Sequence, residues 1–205
     1  MSKGTKQHWN RIYADKDPLQ VSWYQNEPSN SIQLIEKSGI QKNEAVIDIG
    51  GGASLLVDRL QVVGFSRLTV LDISQKALTI AADRLAEEAK LVEWIEADIT
   101  EFHPQHQYSL WHDRAVFHFL TQKADRQKYV NVLKSALRSG GHAVLAAFAI
   151  GGPAKCSGLD VVQYDASKLL HELGEEFVLV EERSEMHMTP AKKQQKFSWF
   201  RMIKE

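Results

Sequence analysis

Ala45-Val46-Ile47-Asp48-Ile49-Gly50-Gly51-Gly52-Ala53-Ser54-Leu55-Leu56 is the stretch that decides the fold. An apolar run carrying one acid meets three glycines, which is the pattern of a buried parallel strand ending at a tight turn. The glycines let the backbone turn sharply and let a ligand touch it directly. Leu55, Leu56, Val57, Leu60 and Val63 then fall on one broad helical face. The unit is a strand, a loop and a helix, and its loop aims orphan N–H groups at a ligand. A dinucleotide fingerprint would need a third glycine where Leu55 stands. Asp48 beside the loop would also repel a pyrophosphate. An acid in that position suits a ligand carrying positive charge.

The rest of the composition is that of an ordinary soluble globule. The chain has 205 residues, 43% hydrophobic and 25% charged, with a net charge of −1. That is enough for one domain with a sizeable core, and it carries no basic footprint for nucleic acid. A single cysteine, Cys156, rules out an internal disulfide framework. Met1 to Asn10 is polar without an apolar signal core, and no apolar run is long enough to span a membrane. A cytoplasmic protein is expected, with no nucleic-acid or membrane partner. Its oligomeric state cannot be read from the sequence.

Residues 1–40 precede the first strand and form an expected lid or cap, ahead of a main unit at 41–205. The segment is rich in aromatics, with Trp9 and Tyr13 one helical turn apart, then Trp23 and Tyr24. Asp17-Pro18 breaks any helix, and Ser29 to Lys37 reads as another. Tyr13 and Trp23 are candidates for cofactor or substrate contact.

Beyond the glycine loop, Leu68 to Leu71 reads as a second strand ending in Asp72. That acid lies about 20 residues past the loop, the spacing of a ribose-binding carboxylate. Helix plus return strand brings it to the carboxyl edge beside the glycines. Gln75 to Lys90 is expected to be helical, Val92 to Ile95 a third strand, and Tyr108 to Arg114 a fourth. The fourth strand should end where an open α/β sheet reverses its strand order, so His112, Asp113 and Arg114 would face a ligand. His118 is expected to pack against the glycine loop. Ala124 to Leu137 reads as a helix stopped by Ser139-Gly140-Gly141, followed by a central strand from His142 to Ile150. A long loop of small residues, Gly151 to Leu159, leaves its active edge. Asp165 to Leu173 is a helix, Phe177 to Glu182 a strand, Met186 to Lys196 a loop, and Phe197 to Ile203 a last strand. Two late strands without an intervening helix imply an antiparallel pair at the sheet edge.

Asp48-x-Gly50-x-Gly52-x-Ser54 resembles motif I of the class I S-adenosylmethionine-dependent methyltransferases, with Ser54 where that family usually has a glycine. Leu71-Asp72-Ile73-Ser74 resembles its second motif, and Ala97-Asp98-Ile99 matches the place where an acid bonds the adenine amino group beside an apolar neighbour. The late strand pair also resembles that fold. The resemblance covers about Ala45 to the C-terminus. It implies an α/β, Rossmann-like, seven-stranded and mostly parallel sheet, with an antiparallel C-terminal edge pair and helices on both faces. It implies S-adenosylmethionine as cofactor, held by Asp48, Gly50, Gly51, Gly52, Ser54, Asp72, Ile73, Asp98, Ile99 and His112, with Tyr13 and Trp23 as further contacts. An N-terminal segment commonly covers the cofactor in that family.

For the acceptor the resemblance divides. Trp111 to Leu120 is similar to thiopurine-type thiol methyltransferases, which carry an Asp-Arg pair there. Cys156-Ser157-Gly158-Leu159 and His187-x-Thr189-Pro190 are similar to small protein-lysine methyltransferases of the citrate synthase-modifying kind. A small-molecule acceptor is the first expectation, a protein lysine the alternative, and a non-catalytic cofactor- or partner-binding domain a third. Methyl transfer from a sulfonium needs an aligned nucleophile and exclusion of water. His112 could take a proton. Arg114 and His187 would serve as counter-charges for a small acid, with Asp113 beside them. The spacings of Cys156, His112, His142 and His187 match no compact metal motif.

Overall fold

The computed structural model describes residues 3–205, so Met1 and Ser2 of the expected lid segment lie outside the described residues. Two helices come first, α1 (Lys3–Asp15) and α2 (Ser29–Glu36). The sheet then opens with β1 (Ala45–Ile49), α3 (Leu56–Val62), β2 (Arg67–Asp72), α4 (Gln75–Leu85) and β3 (Val92–Glu96). It continues through β4 (Tyr108–Arg114), α5 (Lys123–Ala136) and β5 (Leu137–Phe148). A small hairpin, β6 (Lys155–Cys156) and β7 (Leu159–Asp160), precedes α6 (Ala166–Leu173), β8 (Phe177–Met188) and β9 (Gln194–Lys204).

Seven strands form one sheet in the order β3-β2-β1-β4-β5-β9-β8. The first five are parallel, and β9 inserts antiparallel between β5 and β8. Chain order reverses between β1 and β4, so a crevice opens at their carboxyl ends. Both faces of β1 and β4 are buried, which suits the apolar residues of β1 around Asp48 and those of the first half of β4. Ile47, Ile49, Trp111 and Leu145 pack toward α5 and α6, while the alternate residues Val46, Leu110 and Val144 pack toward α2 and α3.

Four local expectations are corrected. The helix begun at Gln75 ends at Leu85, because Ala86 adopts a left-handed conformation (φ 52°) and the chain goes on as a 3-10 turn. Ser139-Gly140-Gly141 does not separate α5 from a strand, since β5 already begins at Leu137 and a register shift against Tyr108 and Leu110 absorbs the glycines. The stretch from Gly151 to Leu159 contains the β6–β7 hairpin. Met186 to Lys196 is mostly strand: Met186 and Met188 are exposed while His187 between them is buried. The true turn is Thr189–Lys193, closed by Thr189 N–H donating to the Lys193 carbonyl at 2.9 Å.

Candidate active site

Three glycines at the end of β1 each lie against a different neighbour. Gly50 (φ +66°) and Gly52 (φ +41°) hold left-handed conformations that disfavour any side chain. A β-carbon on Gly51 would fall 2.5 Å from Asp48 Oδ2, and one on Gly52 2.6 Å from Asp72 Oδ2. One on Gly50 would collide with the Val116 side chain. Val116 reaches the loop because Ala115, just past β4, turns the chain through φ 71°. The loop is thus bare where two carboxylates and one apolar wall press on it.

Two clefts open around this loop. The first, about 680 Å³, is largely apolar, walled by Leu71, Ile73, Ala97, Ile99 and Val116 with Asp72 among them. Asp72 is 7% exposed and accepts the Ser74 N–H at 2.8 Å. Burial, with a smaller push from the Asp48 charge, raises its carboxyl to about 7 against the pull of the Ser74 and Ile73 amides. No cation is bonded to it among the described residues.

The second cleft, about 580 Å³, is more polar, and Ser31, Asp48, Ser54 and His112 line it. Asp48 Oδ1 stands 2.6 Å from His112 Nδ1, and His112 Nε2 stands 3.0 Å from Ser31 Oγ. All three residues are buried. Ser54 Oγ accepts the Leu56 N–H at 3.1 Å and so steadies the start of α3.

Tyr13, Trp23, Ile49, Gly50 and Arg114 line both clefts and mark their junction. Trp23 Nε1 donates to the Tyr13 hydroxyl at 3.2 Å, and Trp9 packs edge-on against Trp23 and Phe119. The first helix therefore covers the first cleft with aromatic rings. Ser74 Oγ, 2.7 Å from Asn10 Oδ1, ties that helix to the end of β2. Arg114 donates through Nη1 to the Trp23 carbonyl at 2.9 Å and lies over the Phe197 ring at 4.7 Å. Burial lowers its guanidinium to about 10 despite the opposing Glu185 charge.

Residues 46–141 match the family model described as a methyltransferase domain. Over these residues the chain carries a methyltransferase domain. The Danio rerio protein named EEF1A lysine methyltransferase 2 is 32% identical over 93 residues, 42% of this chain and only 40% of that protein's length. The Homo sapiens protein of the same name is 25% identical over 197 residues, 87% of this chain and 76% of that protein. The solved N-methyltransferase NodS from Bradyrhizobium japonicum WM9, in complex with S-adenosyl-L-homocysteine, shares the fold with a TM-score of 0.73 at 20% identity, over 98% of each chain.

Against the pattern expected of this methyltransferase family, the residues divide. Asp48, Gly50, Gly51, Ser54, Asp72, Ile73, Ile99, His112, Tyr13 and Trp23 line one or both clefts. Gly52 backs Asp72. Asp98 sits between the cleft residues Ala97 and Ile99, with Oδ1 accepting from the Thr100 N–H and hydroxyl at 2.9 and 2.8 Å. Three others do not reach the clefts. Asp113, expected to face the substrate, is wholly buried and accepts from the Val116 N–H and the Tyr129 hydroxyl at 2.8 and 2.6 Å. Its carboxyl is raised to about 6, chiefly by burial. His187 is pinned to the Ser22 carbonyl, with 2.8 Å between Nε2 and that oxygen, and packs edge-on to Phe197. His118 packs on Phe119 and Phe148, and burial drops it to about 3; Val116, two residues earlier, is the side chain that meets the glycine loop. Cys156 does line the first cleft, and burial pushes its thiol up to about 11, a poor state for a nucleophile.

The residues missed in the sequence are Trp9, Val116 and Ser31. Trp9 was noted only for its spacing from Tyr13. Val116 and Ser31 leave no mark in the sequence, because tertiary approach alone brings them to the loop and to His112. No group of three or more His, Cys, Asp or Glu among the described residues could hold a metal ion. No helix among them is long and apolar enough to cross a membrane.

Proposed function

We propose that the chain is an N-methyltransferase that transfers the methyl group of S-adenosylmethionine to a lysine of a protein. When bound, the cofactor supplies an activated methyl group on a sulfonium. The bare loop supports the fit: a β-carbon at position 50, 51 or 52 would fill the space between the loop and Val116, Asp48 or Asp72. Asp72 would accept from the ribose hydroxyls in the apolar cleft, with Ile73 against the ring. Ala97, Ile99 and Val116 would hold the adenine, and Asp98 would serve its amino group. The amino-acid end would lie in the polar cleft beside Gly51, Ser54 and Asp48. Tyr13, Trp23 and Arg114 would then surround the junction where the methyl group is presented, and the aromatic cover would keep bulk water away. Asp113 would act indirectly, by fixing the turn that carries Val116.

The observation that carries the cofactor assignment is the meeting of an apolar cleft holding Asp72 and a polar cleft holding Asp48 at one glycine loop. The protein acceptor is supported by the names of the relatives that match along the chain. A small-molecule acceptor is the second possibility, and the aromatic cover over the first cleft favours it. Incubation with methyl-labelled cofactor and a lysate containing EEF1A separates the two. Label in a protein band that survives alkali and is lost when the acceptor lysine is changed to arginine supports the first. Label confined to small molecules selects the second. No label and no cofactor affinity would remove both.

A further inference from the structure

The sheet ends on a strand whose two halves are finished differently. β8 is outermost in the strand order, and no backbone hydrogen bond among the described residues joins its outer edge to another segment. Its lower half is guarded. A register shift between Leu179 and Glu181 disturbs it, and Glu181, Glu182 and Arg183 follow in a row. Arg183 is bonded to Glu181 at 2.8 Å and to Gln33 at 2.9 Å, which leaves the exposed Glu182 as the outward charge of that half. The upper half, Ser184 to Met188, has no bulge and no proline. There Glu185 and His187 turn inward. Glu185 accepts from Trp199 Nε1 at 2.7 Å and from Gln25 Nε2 at 3.0 Å, and His187 meets the Ser22 carbonyl. Ser184, Met186 and Met188 take the opposite face, and the two methionines are 55% and 52% exposed. An edge of this kind is a template for another strand. Just past it, the turn carries exposed Lys192 and Lys193, so the edge is acidic at one end and basic at the other.

We propose that this edge pairs antiparallel with the same edge of a second copy, about a two-fold axis at Met186. Charge selects that occupant. Antiparallel copies bring the acidic end of one strand to the basic end of the other. Centred on Met186, the pairing sets Met186 against Met186 and Ser184 against Met188, and it opposes no two like charges. Glu182 of each copy falls opposite Pro190 of the other, beside Lys192 and Lys193. Centring on Arg183 or on Glu185 would set that charge against itself, which is destabilising. Paired backbone groups supply the affinity, and the opposed side chains fix the register. One strand pair buries less than the about 1,000 Å² of a tight interface, so the dimer is expected to dissociate in the micromolar range. Met186 and Lys192 line neither cleft, so the pairing stands or falls apart from the cofactor and acceptor assignments.

Sedimentation velocity of the full chain, run from low to high micromolar concentration, tests the pairing. A reversible equilibrium between monomer and dimer is expected. Met186→Lys sets two ammonium groups face to face and should raise the dimer dissociation constant by more than about tenfold. Met186→Leu should leave it nearly unchanged. Glu182→Lys should also weaken the dimer, and adding Lys192→Glu and Lys193→Glu should restore it. Cys156 is buried, so a short bis-maleimide should link two copies of the Met186→Cys variant and leave the Val178→Cys variant unlinked. Circular dichroism shows whether each of these surface variants has folded, and the wild-type measurement decides without them. A wild-type chain that stays monomeric throughout overturns the pairing. So does a dimer that Met186→Lys leaves intact, since another face then holds it. If the chain is monomeric and added EEF1A protects the amides of Ser184 to Met188 from hydrogen exchange, the edge belongs to the acceptor and self-pairing is wrong.

Discussion

Asp48 and Asp72 stand at the ends of neighbouring parallel strands, both nearly buried, yet the chain treats them oppositely. Asp48 has a partner from within the chain, His112, and through it a link to α2. Among the described residues Asp72 has backbone amides and no cation, and burial leaves its carboxyl raised to about 7. A buried acid with a partner contributes to the fold. A buried acid without one costs stability, and its position at the wall of an apolar cleft shows where that cost can be offset, by donors on a ligand.

The sharpest way to break this contrast is to delete both acids and compare stability. Asp48→Ala strands a buried imidazole N–H and should cost about 3 kcal/mol in denaturant unfolding. Asp72→Ala should cost little or raise stability, since it removes an unpaired carboxyl. Equal losses would show that the two acids play the same part. Binding should reverse the ranking of concern: Asp72→Ala is expected to weaken S-adenosylhomocysteine affinity more than tenfold by calorimetry, as loss of charge-assisted bonds should.

A third prediction follows from the proton on Asp72. Ribose hydroxyls donate to the ionised form, so binding competes with that proton. Affinity should therefore rise with pH through about 7, by roughly tenfold between pH 6 and pH 8. Asp72→Asn should flatten that profile. The stability of the free protein runs the other way. A carboxyl raised in the folded state binds more protons there than in the unfolded chain, so its contribution falls as pH climbs from the ordinary carboxylate range toward 7. The smallest effect concerns the cover: Tyr13→Phe removes the acceptor of the Trp23 Nε1–H bond and should cost about 1 kcal/mol of stability or binding.

How far the sequence disclosed this contrast depends on which link of the argument is asked. The end of β1 was legible because a mostly apolar strand meets three glycines, and that of β4 because its apolar residues give way to His112-Asp113-Arg114. Asp72 was legible because a helix and a return strand fix its distance from the glycines. The β8–β9 edge pair was legible as two late strands, but their full length was not. Its edge strand alternates charged and exposed residues with only His187 buried near the tip, so the apolar count falls below that of a strand. Asp113 and Arg114 could not be told apart in sequence, although one staples a turn inside the core and the other reaches the cleft junction. Ser31 had no signature at all. An ordinary serine in a short helix gains its meaning from a histidine 81 residues later.

The three loop glycines have a consequence for how this protein can drift. Each is held bare by a different element: the segment after β4, the acid of β1, and the acid of β2. A methyl group gained at one of them cannot be accommodated by a change that accommodates another. A selection for suppressors should therefore recover allele-specific pairs, with a shortened side chain at Val116 rescuing Gly50→Ala and leaving Gly52→Ala dead. The loop's history would then be written in separate compensations scattered across three strands, never in one permissive background.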